Sequence, residues 1–239
     1  MNLIRKGHRQ SHRGVIGVES AIVMIAFVIV AAALAFVVLN MGFSTTQKAK
    51  TTIISGLGEA SSSLEVAGKV KGIGCTTSAG GCSTNAYLNA TIIPLKIVSG
   101  GDSVNLQAST TTVKYISNSK SFDDIYAGPI TATLPGNATD AFTQAAAEAG
   151  TDFDAFNGAQ PVTEALPSST SAIVYWSVRS NTNAILDQGE HANLAIAYGN
   201  NDRPAALDKI KVEVLTATGA ALTVERSVPN ITTTVVDLG

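Results

Sequence analysis

Histidine is scarce in this chain, at three residues in 239, and charge is thin, with Asp, Glu, Lys and Arg together making up 14%. Beyond the first fourteen positions the only histidine is His191. That removes most Ser-His-Asp and Cys-His arrangements, and it leaves zinc short of its usual four ligands. His191 lies in the turn Asp187-Gln-Gly-Glu-His and reads as a surface residue. No G-x-S-x-G, H-E-x-x-H, Walker or dinucleotide fingerprint occurs, so the sequence gives no sign of an enzyme, a cofactor or a metal. The acidic loop Asp152-Phe-Asp-Ala-Phe-Asn-Gly places carboxylates two apart, as calcium loops do. It departs from EF-hand spacing and lacks the closing Glu, so it reads as a solvated loop. A stripe of Lys and Arg interleaved with aromatics is also missing, which argues against a nucleic-acid partner.

What is present divides sharply along the chain. Arg5, Lys6, Arg9 and Arg13 place 4 of the 16 basic residues, and no acid, in the first fourteen positions. The remainder balances 12 basic against 18 acidic residues, a net of −6. A mildly acidic, weakly charged body rich in Ser, Thr, Ala and Gly has the composition of an exported protein.

From Ala21 to Leu39 no residue is charged, Pro or Gly. At 1.5 Å per residue such a helix spans roughly the 30 Å hydrocarbon layer of a membrane. The basic cluster on its amino-terminal side holds residues 1 to 14 in the cytoplasm and sends the chain after Gly42 outward. Three fates compete: cleavage after the apolar stretch, no cleavage, or cleavage before it. The stretch exceeds the 7 to 15 residues of an ordinary signal core, and Asn40, Met41, Gly42 and Phe43 offer no small-x-small exit, which favours retention of the helix.

The run His-Arg-Gly-Val-Ile-Gly-Val-Glu-Ser-Ala-Ile-Val (12 to 23) resembles the class III signal of archaeal flagellins (archaellins) within the type IV pilin-like superfamily. The run LAFVVLNMGFSTTQKAK, Leu34 to Lys50, is similar to the corresponding segment of crenarchaeal archaellins. The resemblance implies that a prepilin/preflagellin-type signal peptidase cuts between Gly14 and Val15 and leaves the helix on the mature chain. Gly17 then falls at the third mature position, where archaellins commonly carry Gly, and Glu19 at the fifth, where type IV pilins carry Glu. A carboxylate so close to the membrane costs several kcal/mol unless it is partnered. Either Glu19 meets the new ammonium of Val15, on its own or a neighbouring subunit, or it lies at headgroup level and complements the positive end of the helix dipole.

Past the apolar block, Ile53, Leu57, Ala60, Leu64 and Ala67 recur at spacings of 4, 3, 4 and 3, which predicts that the helix continues to residue 67. Gly42, Gly56 and Gly58 weaken it, so one helix of about fifty residues or a bent pair both fit. After Gly68 the helical period stops. Runs at 87–98, 103–108, 110–117, 129–134, 171–178, 192–198, 210–216, 221–226 and 230–238 read as strands. The expected fold is α+β: a long hydrophobic helix followed by an antiparallel, immunoglobulin-like β-sandwich head, which is also the head the resemblance implies. The predicted division is leader 1–14, filament-core helix 15–67 and head 68–239, with an insertion at about 141–169 carrying one short helix on the outer face.

Cys75 and Cys82 bracket a Gly-containing turn. An even count in an exported chain points to a local disulfide, with two free thiols as the alternative. Three sequons, Asn89-Ala-Thr, Asn137-Ala-Thr and Asn230-Ile-Thr, are candidate N-glycosylation sites, as the resemblance also implies.

The resemblance implies a structural role: a subunit of the swimming filament (archaellum) that polymerises with copies of itself. Its implied partners are the signal peptidase, a membrane assembly platform with its ATPase, and the cytoplasmic membrane that holds the precursor. Ala31, Ala32 and Ala35 would let such helices approach closely. The rival readings are an adhesion pilin of the same secretion class and a monomeric, membrane-anchored surface receptor.

Overall fold

The computed structural model describes residues 13–61, 64–75, 87–132, 134–148, 152–163 and 165–239. The chain divides into two compact units, residues 1–55 and 56–239.

The first unit is built on α1, Arg13–Ser61, an uninterrupted helix of 49 residues. At 1.5 Å per residue it is about 74 Å long. Its Ala, Leu and Met content and lack of Pro suit a helix, and its four threonine hydroxyls bond back into it. Thr45, Thr46, Thr51 and Thr52 each donate to the carbonyl four residues back, at 2.5 to 2.9 Å. Such bonds leave a hydroxyl nothing to lose on entering an apolar medium.

The helix stops at Ser61, short of the expected residue 67. Gly56, Gly58 and the serines at 61 to 63 have weak helix propensity. The last two members of the apolar stripe are used differently. Leu64 lies in β1, Leu64–Val66, where it is 6% exposed and pairs with Ile97.

Two packed sheets make up the head. The larger has seven strands in the order β13-β2-β3-β10-β8-β7, with β1 also on β3: β2 is Lys71–Cys75, β3 Tyr87–Ile97, β7 Tyr126–Ile130, β8 Ser171–Val178, β10 His191–Ala197 and β13 Val235–Asp237. The smaller runs β12-β11-β5-β6: β5 is Thr111–Ser117, β6 Ser121–Phe122, β11 Lys209–Thr216 and β12 Leu222–Ser227. A two-residue pair, β4 Val104–Asn105 and β9 Ile185–Leu186, stands apart. The pairing is antiparallel except at one edge, where β7 runs parallel to β8. β7 carries Pro129, which an edge strand tolerates because only one of its sides is paired.

Alternation along the large sheet assigns its two faces. Ala172, Val174 and Trp176 of β8, and Ala192, Leu194 and Ile196 of β10, face the smaller sheet and join Val113, Tyr115, Val212, Val214 and Val224 in one core. Ile173, Tyr175, Ala195 and Ala197 point the other way. There the region expected as an insertion covers them. α2, Ala138–Ala147, buries Ala141, Phe142 and Ala145, and two 3-10 turns at Asp154–Phe156 and Pro161–Thr163 add Phe156 and Pro161. The acidic loop thus holds Phe153 and Phe156 inside while Asp152 and Asp154 stay exposed. The large sheet is buried on both faces, which makes the head three layers deep.

β2 was absent from the expected strands, and glycine explains both its invisibility and its place. A Cβ on Gly74 would lie 2.8 Å from the Thr233 carbonyl and collide with Ile231, so only glycine lets β13 and its approach lie this close. Glycine otherwise disfavours strands.

Candidate assembly helix and head sites

Gly14 and Val15, the expected cleavage pair, lie in the first turn of α1, and residues 1–12 of the leader lie outside the described residues. Gly17, Glu19, Ala31, Ala32 and Ala35 all belong to α1 and are exposed. So are the large side chains around the whole helix: Met24 is 73% exposed, Phe27 77%, Phe36 65% and Phe43 65%. The segment Gly17–Leu57 is long and apolar enough to cross a membrane by length and composition. A Cβ on Gly17, Gly42 or Gly56 would touch nothing within 4 Å. Each glycine costs a helix interior about 1 kcal/mol relative to Ala, with no contact inside the chain that requires it. Ala31, Ala35 and Gly42, at spacings of 4 and 7, fall on one side and form a small-residue strip flanked by Leu34, Val38 and Leu39.

In the head, Cys75 closes β2, is 1% exposed and is disulfide-bonded. Cys82, the only other cysteine in the sequence, lies outside the described residues.

The three sequons separate. Asn137 is exposed and is the N-cap of α2, its Oδ1 accepting the Asp140 N–H at 3.0 Å, and its Nδ2 is left free. N-linkage keeps Oδ1 as an acceptor, so cap and sugar are compatible. Asn230 is exposed in the segment before β13. Asn89 does not fit the expectation. It is 1% exposed, its Nδ2 donates to the Pro161 carbonyl at 3.3 Å, and its Oδ1 accepts from Arg203 at 3.4 Å. Ile73 faces Ala90 and Gly74 faces Leu88, so Asn89 is the extra residue of a β-bulge that turns Leu88 to one core and Ala90 to the other. With its nitrogen engaged inside the fold, Asn89 does not offer a glycosylation site, contrary to the expectation.

His191 opens β10 and is half-buried, while its neighbour matters more. Glu190 is 1% exposed and accepts from Trp176 Nε1 at 3.2 Å, Ser180 N–H at 2.6 Å and Asp187 N–H at 3.1 Å. A charge-rich turn sequence hides this role, because Glu is rarely fully buried. No group of three or more potential metal-ligating side chains occurs among the described residues.

The described chain thus combines a long, exposed apolar helix with a separate β-sandwich unit. Known proteins narrow the class. A family model of archaeal-type flagellin matches residues 14–226, and the chain belongs to that family. It is 36% identical over 224 residues to "Probable flagellin 1" of Aeropyrum pernix, covering 91% of this chain and 92% of that one. Its fold is similar to that of the chain in the archaeal flagellum of Methanospirillum hungatei strain JF1, with a TM-score of 0.53 at 24% identity over 90% of this chain and 94% of the other. The archaeal flagellin FlaB1 of Methanocaldococcus jannaschii gives the same TM-score at 17% identity, over 74% and 96%. Neither the adhesion-pilin nor the receptor reading is favoured by these likenesses.

Proposed function

We propose that the chain is the repeating structural subunit of an archaeal swimming filament, polymerising through α1 after its basic leader is removed. One observation carries the reading: α1 presents large apolar side chains around its whole circumference, in a chain of the flagellin family. Exposed apolar area on that scale requires a covering phase. Lipid covers it in the precursor and other copies of α1 cover it in the filament. Exchanging lipid for helices leaves the hydrophobic term nearly unchanged, so close packing must favour assembly. The small strip of Ala31, Ala35 and Gly42, with Ala32 beside it, supports such packing.

Cleavage between Gly14 and Val15 by a preflagellin-type peptidase would create an ammonium four residues from Glu19, within reach on the same helix or on a neighbour. A membrane platform and its ATPase would extract the subunits. In the exported head a bond between Cys75 and Cys82 would close the turn after β2, and Asn137 and Asn230 would carry sugars.

Amino-terminal sequencing of protein from sheared surface filaments tests the reading. The expected start is Val15-Ile-Gly-Val-Glu19. A start at Met1, or a mature chain that lacks residues 15–42, would overturn it.

A further inference from the structure

A cleft of about 460 Å³ opens in the head on the face of the large sheet that α2 covers only in part. Its floor crosses four neighbouring strands. Lys71 of β2 faces Ile92 of β3, and Pro94 of β3 faces Asn193 of β10, which faces Tyr175 of β8. Asn137, at the start of α2, lines the same cleft. The volume lies within the range of small-molecule sites, roughly 300 to 1,000 Å³.

Three polar groups in this cleft make no hydrogen bond in the protein. Tyr175 is 4% exposed, yet its hydroxyl makes no hydrogen bond, whereas the equally buried Tyr126 and Tyr198 donate to or share bonds with Leu106 and Thr91. The half-buried Asn193 carboxamide makes none either, and the exposed Lys71 ammonium makes none beyond its charge attraction to Asp237. All three line the cleft, where a ligand that matches these donors and acceptors can replace water. Burial raises the Tyr175 pKa to about 12, so the phenol stays a donor at physiological pH. Nearby Lys69 is already bound to Asp237.

We infer that this cleft binds a sugar residue. Pro94 and Ile92 offer an apolar floor for the face of the ring, and Tyr175, Asn193 and Lys71 offer hydrogen bonds at its edge, the last also suiting a ring that carries a carboxylate. The sugar has two possible sources with the same chemistry: the first residue of a glycan on Asn137, whose free Nδ2 stands at the cleft, or a sugar from another molecule. The first source rests on the glycosylation reading above, and the second does not.

Saturation-transfer NMR on intact filaments, with D-glucose and D-glucuronate as probes, tests the site. Filaments carrying Asn137→Gln should transfer saturation to the ring protons of at least one probe. Adding Tyr175→Phe or Lys71→Met should weaken the apparent affinity by about three- to tenfold, the effect of losing one hydrogen bond. Both substitutions keep a side chain of similar bulk, and filament formation reports that the head still folds. If unsubstituted filaments bind equally well, the sugar comes from outside. If they bind nothing and the Asn137 peptide carries a glycan, the linked sugar fills the cleft. Absence of transfer to either probe in the Asn137→Gln filaments, or transfer that neither further substitution reduces, would overturn the inference.

Discussion

At the scale of single residues, Glu190 shows how one buried acid organises a loop. Its carboxylate receives an indole N–H and two main-chain N–H groups, and so ties β8, the loop after it and the turn before β10 together. Main-chain N–H groups left without a partner in such a place cost about 1 to 3 kcal/mol each. Glu190→Ala is therefore expected to destabilise the head by about 3 kcal/mol or more, read as a lower midpoint in urea unfolding. Glu190→Gln, which keeps one acceptor oxygen, should lose less. Equal losses for the two would show that side-chain volume, and not hydrogen bonding, sets the cost. Asn89 teaches the complementary lesson: a sequon is local, while burial is decided by partners at Pro161 and Arg203 that no sequence window joins to it.

At the scale of elements, α1 separates packing within the chain from packing between chains. Ala32→Trp adds bulk where this chain offers no obstacle, so the protein should be made, processed and inserted normally, while filaments counted by electron microscopy should be absent or few. Filaments in normal number would defeat the close-packing argument. This helix was legible in the sequence because nineteen uncharged residues without Pro or Gly leave little other choice. Its end was not legible, because Leu64 satisfies a helical period and a strand alternation equally, and only its pairing with Ile97 decides. The long strands β3, β5, β8, β10, β11 and β12 were read close to their observed bounds from β-prone runs between turn residues, several of them alternating. β2 was hidden by its glycines, and β6 and β9, at two residues each, are too short to carry a period. The expected insertion proved to be a packing layer: Ala141, Phe142, Ala145, Phe153, Phe156 and Ala159 cover the sheet, apolar positions too few and scattered to show a period in the sequence. The cleft was illegible for a further reason: Lys71, Pro94, Tyr175 and Asn193 become neighbours only through strand register.

At the scale of the whole molecule, the layered head holds most of its phenols away from water. Burial raises the pKa of Tyr115 and Tyr175 to about 12 and pushes those of Tyr126 and Tyr198 well above the usual range. A group whose pKa is higher in the folded state favours folding fully below its unfolded pKa, about 10 for tyrosine, and loses that contribution as pH rises through the folded value. The head should therefore keep this part of its stability up to about pH 10 and lose it between about 10 and 12, with four of the five phenols ionising only in that range or on unfolding. Phenolate absorbance followed together with circular dichroism checks this, and ionisation of these four near pH 10 with the fold intact would contradict the packing described. The same layering has a mechanical corollary. Tension passed along the chain from α1 reaches the head at Leu64–Val66, which is fastened only to one end of β3, whereas the rest of that edge of β3 is held by β2 and its other edge by β10. That short strand would peel first and release a few residues of slack at about 3.3 Å each, a fuse that yields to a sudden jerk at the cost of Leu64 leaving the edge of one core while the other stays shut.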